Sequence, residues 1–229
     1  MNKTLSIVIS IAFILAVLLT SIDLCCFNRA FYQSEYQKLG VASNIGITDT
    51  DLLDVTDVLL DYTQGKRSDM LVSKSVNGTE RAIFNTKETA HMADVQSLYL
   101  AAMFGRNICL VVLAAALVAL YRRKRESVIS VIAFYYNRVS VVFLLFISFI
   151  VIAALVDFNS FWTAFHHIFF AGNDLWLLNP QTDILIMMVP EQFFFDLVSR
   201  IIILFTSVFG LSNLLAFLIQ KKARKEAGQ

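Results

Sequence analysis

Between Val139 and Ser199 the chain carries no lysine or arginine, and charged residues of either sign make up only 16% of its 229 residues. A soluble domain carries about a quarter. Here 57% of residues are hydrophobic and the mean hydropathy is +0.66, so a water-soluble fold is excluded. Cysteine is scarce as well. Cys25, Cys26 and Cys109 all fall in or beside apolar runs, which suits small buried hydrophobes and excludes a disulfide framework. Several catalytic signatures are missing: no Gly-x-Ser-x-Gly elbow, no phosphate loop, no His-Glu-x-x-His and no Cys-x-x-Cys. With a net charge of +1 and basic residues gathered at the edges of apolar runs, no basic face is left for nucleic acid.

What the chain does have is four apolar runs of bilayer length, about 20 residues in helical form. They cover about 5–24, 99–121, 139–156 and 197–219. The first is too long for the core of a signal peptide and lacks a small-x-small cleavage site, so it reads as an uncleaved anchor. Arg122-Arg123-Lys124-Arg125 closes the second run, and Lys221-Lys222-Ala223-Arg224-Lys225 closes the fourth. Basic tracts mark the cytoplasmic side, and Lys3 agrees with them. Both termini are then expected in the cytoplasm, with the segments 27–98 and 157–196 outside. The expected fold is an all-α integral membrane protein: four transmembrane helices in one membrane domain over 1–229, with a small outer α+β segment.

The first outer segment has local structure of its own. Leu52, Val55, Leu59 and Tyr62 recur at helical spacing between Thr48 and Tyr62. Met70–Val76 and Thr79–Phe84 flank Asn77-Gly78, the strongest short hairpin signal. Asn85-Thr86-Lys87-Glu88 then starts a helix that continues into the second span. The second outer segment packs five aromatics and two histidines between Asn159 and Phe170, then a turn, Pro180, the apolar run Ile184–Val189 and Pro190. It is too apolar for a solvated loop and too interrupted to span twice. An interfacial or re-entrant aromatic-rich hairpin beside a cavity is expected.

All three histidines, His91, His166 and His167, lie in these outer segments. At about 1.5 Å per residue, His91 stands on the order of 12 Å beyond Tyr99, which is lipid headgroup and glycerol depth. Glu88 is one turn away on the same face, able to orient the ring or to join it in holding a metal. His166 and His167 are adjacent and diverge by about 100° on a helix, so only one can share a cavity with His91. The bland readings are a helix start favouring the acids Glu88 and Asp94 and interfacial charges at Asp23, Asp157, Asp196 and Arg200, the last two spaced to pair. Arg106 lies inside the second span, where a charge either snorkels or holds an anionic lipid group.

Three blocks resemble a known bacterial family: Leu59-Leu60-Asp61-Tyr62; Glu88-x-x-His91-Met92-x-Asp94-Val95; and Phe165-His166-x-x-Phe169-Phe170-x-x-Asn173-Asp174-x-Trp176-x-x-x-Pro180 with Pro190-x-x-Phe193-Phe194-x-Asp196. With the four spans, they resemble the small membrane proteins that include the lipoprotein intramolecular transacylases of Gram-positive bacteria. The resemblance implies an acyltransferase acting on a diacylglyceryl-modified lipoprotein among membrane lipids. It would move the sn-2 acyl chain to the α-amino group of the same cysteine and leave a lyso-form lipoprotein. It also implies a metal-free acid/base mechanism without cofactor, run by His91 and His166, with Glu88 or Asp94 orienting His91 and with Asn173, Asp174 and Trp176 in support. Alignment of the blocks favours His166 over His167. Two other classes stand against this reading: a non-catalytic four-span protein that binds lipid or a partner, and a zinc-dependent membrane hydrolase.

The topology has a direct test. Reporter fusions after Glu126 and Gln229 should read cytoplasmic, and fusions near Asn77 and Asn173 external; an external signal at Gln229 would remove the four-span arrangement.

Overall fold

Eleven elements follow one another in the computed structural model, which describes residues 3–121 and 125–227. They are α1 (Lys3–Cys26), α2 (Arg29–Leu39), α3 (Val41–Ile45), α4 (Asp49–Thr63), β1 (Ser73–Val76), β2 (Thr79–Ala82), α5 (Thr86–Tyr121), α6 (Arg125–Val156), α7 (Phe158–Phe169), α8 (Ile184–Met188) and α9 (Glu191–Ala227). Four of these, α1, α5, α6 and α9, are long and apolar enough to cross a membrane. Arg122, Arg123 and Lys124 of the first basic tract lie outside the described residues. The chain divides into two compact units, the first comprising the chain up to Asp23, Met103–Val156 and the chain from Arg200, the second Leu24–Ala102 and Asp157–Ser199.

In the first unit Ile14 of α1 packs with Ala133 and Tyr136 of α6 and with Phe205, Phe209 and Ala216 of α9. Ser6 and Ser10, one turn apart on α1, are fully buried, as small residues are where membrane helices approach closely. The Ser10 hydroxyl donates back to the Ser6 carbonyl at 2.7 Å, so it is not left bare. Interhelical polar contacts fix the register: the Tyr136 and Ser212 hydroxyls meet at 2.6 Å, and Gln220 Nε2 donates to the Ala133 carbonyl at 2.9 Å. Outward-facing Phe104, Val111, Leu145 and Phe149 are exposed, which suits lipid rather than water. Arg106, a candidate for an anionic lipid, donates to Asp23 at 2.6 Å. An internal carboxylate already answers its charge.

The second unit is built around Phe193, at the start of α9, whose buried ring lies within 5.1–6.0 Å of Tyr32, Phe31 and Tyr36 on α2. The Tyr36 hydroxyl meets Thr56 of α4 at 2.9 Å, and Lys38 bridges Glu35 and Asp196 at 3.2 and 2.5 Å. Asp196 therefore takes its hydrogen bonds from Lys38 and from Gln192. The hairpin is present, but its ladder is shorter than the run of alternating residues: Ser73 pairs with Ala82 and Val76 with Thr79. Met70 and Ile83 are buried in the unit's interior, and just beyond the ladder the Ile83 N–H donates to the Val72 carbonyl at 3.0 Å. Three elements were not expected, namely the amphipathic α2 and the two five-residue helices α3 and α8. The second outer segment is accordingly α7, a turn-rich stretch and α8. The helix of the third span starts well before the apolar run, at Arg125.

Asn77 and Gly78 carry φ of 51° and 81°, the primed turn that twists with its strands. The Asn77 N–H donates to the Gly46 carbonyl at 2.8 Å, docking the hairpin tip on the α3–α4 connection. A Cβ on Gly46 (φ 80°) would overlap the Asn77 amide, whereas one on Gly78 meets nothing. Gly78→Ala should therefore cost only the left-handed backbone penalty, about 1–2 kcal/mol. Gly46→Ala should cost more, because the tip must also move. Thermal unfolding of the two variants in detergent checks this; equal losses would mean that the docking contributes nothing.

Candidate functional site around His91 and His166

The start of α5 is held by a reciprocal cap. The Glu88 N–H donates to Asn85 Oδ1 at 3.0 Å, and the Asn85 N–H donates to Glu88 Oε2 at 2.6 Å. The second carboxylate oxygen, Glu88 Oε1, accepts from the Leu185 N–H at the beginning of α8, also at 2.6 Å. Asn85 Nδ2 donates to Asp183 Oδ1 at 2.9 Å, and Asp183 Oδ2 accepts from the Asn179 N–H at 2.8 Å. The segment after α7 is thus clamped onto the first turn of α5. Lys87 Nζ donates to the Leu177 carbonyl, and Asn173 Nδ2 donates to Asp94, further along α5, at 2.9 Å.

These clamps bring two histidines together from separate stretches of sequence. His91, 7% exposed, projects from α5, and His166, 8% exposed, from the last turns of α7. Their ring centroids are 6.0 Å apart at an interplanar angle of 33°. Phe170 touches both rings, edge-on to His91 at 5.3 Å and tilted to His166 at 5.6 Å. Trp176 stacks on His166 at 4.8 Å, and Trp162 meets it edge-on at 5.1 Å. His167 is exposed and touches Trp176 only edge-on, at 5.1 Å. Of the adjacent pair, His166 is the one in the cluster with His91.

The hydrogen bonding of His166 fixes its tautomer. Nδ1 lies 2.8 Å from the Trp162 carbonyl, which only accepts, so Nδ1 carries the proton and Nε2 of the neutral ring keeps a free lone pair. Burial holds the His166 pKa below the usual 6.5, partly offset by the bond to Trp162. The neutral form therefore prevails at neutral pH. The buried Nδ1 of His91 has no hydrogen-bond partner among the described residues. The two acids expected to orient His91 have other partners: Glu88 accepts from two backbone N–H groups and Asp94 accepts from Asn173. Asn173 also accepts the Leu175 N–H at 3.0 Å, and Asp174, exposed, contributes its carbonyl to the Leu177 N–H at 3.2 Å. Both shape the turn that carries Trp176. Among the described residues no three His, Cys, Asp or Glu side chains converge as a metal site.

Sequence reasoning missed Asn85, Trp162, Phe170 and Asp183 as parts of this site. Phe170 stands one helical turn after His166 and Trp162 one turn before it, so helical spacing could have found both. Asp183 follows an Asn-Pro turn, and nothing local to it points to Asn85.

Comparison with known proteins agrees with this architecture. The model of the family described as lipoprotein intramolecular transacylase Lit matches residues 7–194. Solved structures similar to this chain include the membrane-integral lipoprotein intramolecular transacylase Lit from Bacillus cereus, with 18% identity, a TM-score of 0.76 and 97% of each chain covered. Two further structures of that protein, with arginine or alanine substituted for a histidine, give TM-scores of 0.71 at 17% identity. They cover 98% and 97% of this chain, and 94% and 95% of theirs. No curated protein sequence matches.

The role of Glu88 separates structure from chemistry. Glu88→Ala strips the acceptors from two backbone N–H groups, each charge-assisted bond being worth about 1.5–3 kcal/mol. Glu88→Gln keeps an acceptor oxygen for one of them. Thermal stability should fall markedly for Glu88→Ala and less for Glu88→Gln; equal stability of Glu88→Ala and wild type would contradict the clamp.

Proposed function

The chain belongs to the lipoprotein intramolecular transacylase (Lit) family, and from that premise we propose that it transfers the sn-2 acyl chain of a diacylglyceryl-modified lipoprotein to the α-amino group of the same N-terminal cysteine. The observation that carries the reading is the buried pair His91–His166. Two imidazoles from separate segments, close enough to serve one reacting centre, suit a reaction that removes one proton and supplies another.

The steps balance without an enzyme-bound acyl group. The substrate ammonium, with a pKa of about 8, gives a proton to a histidine. The free amine adds to the sn-2 ester carbonyl and forms a tetrahedral oxyanion, whose now positively charged nitrogen gives its second proton to the other, neutral histidine. Collapse breaks the bond to the glyceryl oxygen, which takes a proton from an imidazolium as it leaves. The products are an amide at the cysteine nitrogen and a free sn-2 hydroxyl, the lyso form. His166, with Nδ1–H held by Trp162 and Nε2 open, supports the base role, and the imidazolium it becomes supports the acid role. His91, whose pKa burial lowers to about 4, is neutral at rest and supports removal of the second nitrogen proton. Asn173, Asp174 and Trp176 serve as positioning groups, since their turn sets Trp176 against His166. Holding donor and acceptor of one molecule at the right distance supplies much of the rate. The reading takes both chain ends as cytoplasmic and the histidines as facing the outer leaflet, as the basic tracts suggest.

Mass spectrometry of a reporter lipoprotein's N-terminal peptide is the test. His91→Ala and His166→Ala should each lower formation of the N-acyl S-monoacyl form by about 10²–10⁴-fold, with folding and insertion retained. His167→Ala should keep most activity. Losses below about tenfold at both His91 and His166 would contradict their roles. Joint replacement of Cys25, Cys26 and Cys109 should leave the product unchanged, because no thioester forms; reversible loss with a chelator would instead favour a metal-dependent reaction.

The pH dependence follows from His166. Its lowered pKa keeps the ring a base down to below pH 6.5, so histidine protonation does not limit the rate near neutrality. The rate should climb between about pH 6.5 and 8 as the substrate amine deprotonates. An acid limb that vanishes in His166→Ala while the amine is unchanged would assign that limb to the histidine and overturn this expectation.

A further inference from the structure

Far along the sequence from the paired histidines, Lys3 and Ile7 of α1 and Phe134, Tyr135, Arg138, Val139 and Val142 of α6 line a cavity of about 300 Å³. All seven belong to the first unit. The lining is two-part. Lys3, Arg138 and the Tyr135 hydroxyl supply donors, and Ile7, Val139 and Val142 supply an apolar wall. Arg138 immediately precedes the apolar run 139–156, and Lys3 opens the first span, so each cation marks the edge of an apolar run. The Arg138 guanidinium lies 4.5 Å from the centre of the Phe134 ring, which orients it without neutralising it. Among the described residues no carboxylate pairs with either cation, and the cavity lining contains none. Arg106 is the contrast, since its charge is answered by Asp23 at 2.6 Å. Cations at the edge of a hydrocarbon span reach the headgroup layer, where anionic phosphates are the groups that answer them.

The geometry points to a binding site for an anionic phospholipid, its phosphodiester held by Lys3, Arg138 and Tyr135 and one acyl chain lying along Ile7, Val139 and Val142. The volume falls at the small end of the roughly 300–1,000 Å³ of small-ligand sites, which suits a headgroup rather than a whole lipid. Basic pockets between spans on the cytoplasmic side recognise anionic headgroups by this chemistry. The donors fit phosphate, and the adjoining apolar wall favours a lipid over free phosphate. The leaflet follows from the topology proposed above, but the binding chemistry does not. The site is separate from the transacylase centre, so each stands or falls alone.

Native mass spectrometry of the purified protein, released from nanodiscs of phosphatidylcholine with or without phosphatidylglycerol, reads the retained lipid. Wild type should retain phosphatidylglycerol over phosphatidylcholine by about 30-fold, the preference expected of two basic side chains near a membrane surface. The double variant Lys3→Gln, Arg138→Gln should lose that preference. Val142→Trp, which fills the apolar wall and keeps both charges, should lose bound lipid while remaining basic, and it decides between the outcomes should the double variant misfold. Unchanged retention in the variant that folds would overturn the site. Inorganic phosphate in detergent, if it displaces the lipid or gives wild type the same thermal protection, would identify a free anion as the ligand and overturn the lipid assignment.

Discussion

Glu88 is a carboxylate 1% exposed, and it is stable there only because two backbone N–H groups, from Asn85 and Leu185, donate to it at 2.6 Å. A buried charge without donors would be driven to neutralise. The arrangement runs the other way too: the first turns of α5 and α8 each have orphan donors, and a shared anion satisfies both. One residue thereby fixes where α5 begins and where the segment after α7 returns to it. His91 is one turn further along α5, and Trp176 is on the tethered segment, so the position of the histidine pair follows from this clamp. Asp183 and Asn173 reinforce it through Asn85 and Asp94.

The surroundings of the histidines are mostly aromatic carbon. Phe170 touches both rings, and Trp162 and Trp176 cover His166 from two directions. Aromatic walls do two things that a polar pocket would not. They exclude water, which would otherwise compete with an amine for an ester, and they keep the imidazole neutral until a proton is offered. The acids near His91 are drawn into the same construction, because Glu88 and Asp94 are committed to holding the walls in place.

The features readable from the sequence are those set by near neighbours. The four apolar runs, the Asn77-Gly78 turn and the cap at Asn85–Glu88 each obey a rule spanning a few residues, and each appears in the structure. The histidines could be gathered on chemical grounds and by resemblance, and burial then separated His166 from His167. What local rules did not reach were pairings made across the chain. Leu185 lies 97 residues from Glu88, and Asp23 lies 83 from Arg106. The carboxylate that Arg106 meets is on another helix, out of reach of such rules. Helices α2 and α8 escaped for a related reason: each is short and is stabilised by what it packs against, Phe193 for α2 and Glu88 for α8, more than by its own pattern.

Under the proposed chemistry, a weakly basic histidine is an advantage. Moving a proton from an ammonium of pKa about 8 to an imidazole of pKa 6.5 or lower runs uphill by at least about 1.5 units, or about 2 kcal/mol. That cost is modest against a barrier that enzymes lower by about 8 kcal/mol or more. The demanding half is the collapse of the tetrahedral adduct. An unprotonated glyceryl alkoxide leaves far less readily than the amine that has just added, so without an acid the adduct reverts. A buried imidazolium is a stronger acid than one in water for the same reason that its imidazole is a weaker base. Burial therefore costs a little in deprotonating the amine and returns more in protonating the leaving oxygen, which is the step that commits the acyl chain to nitrogen.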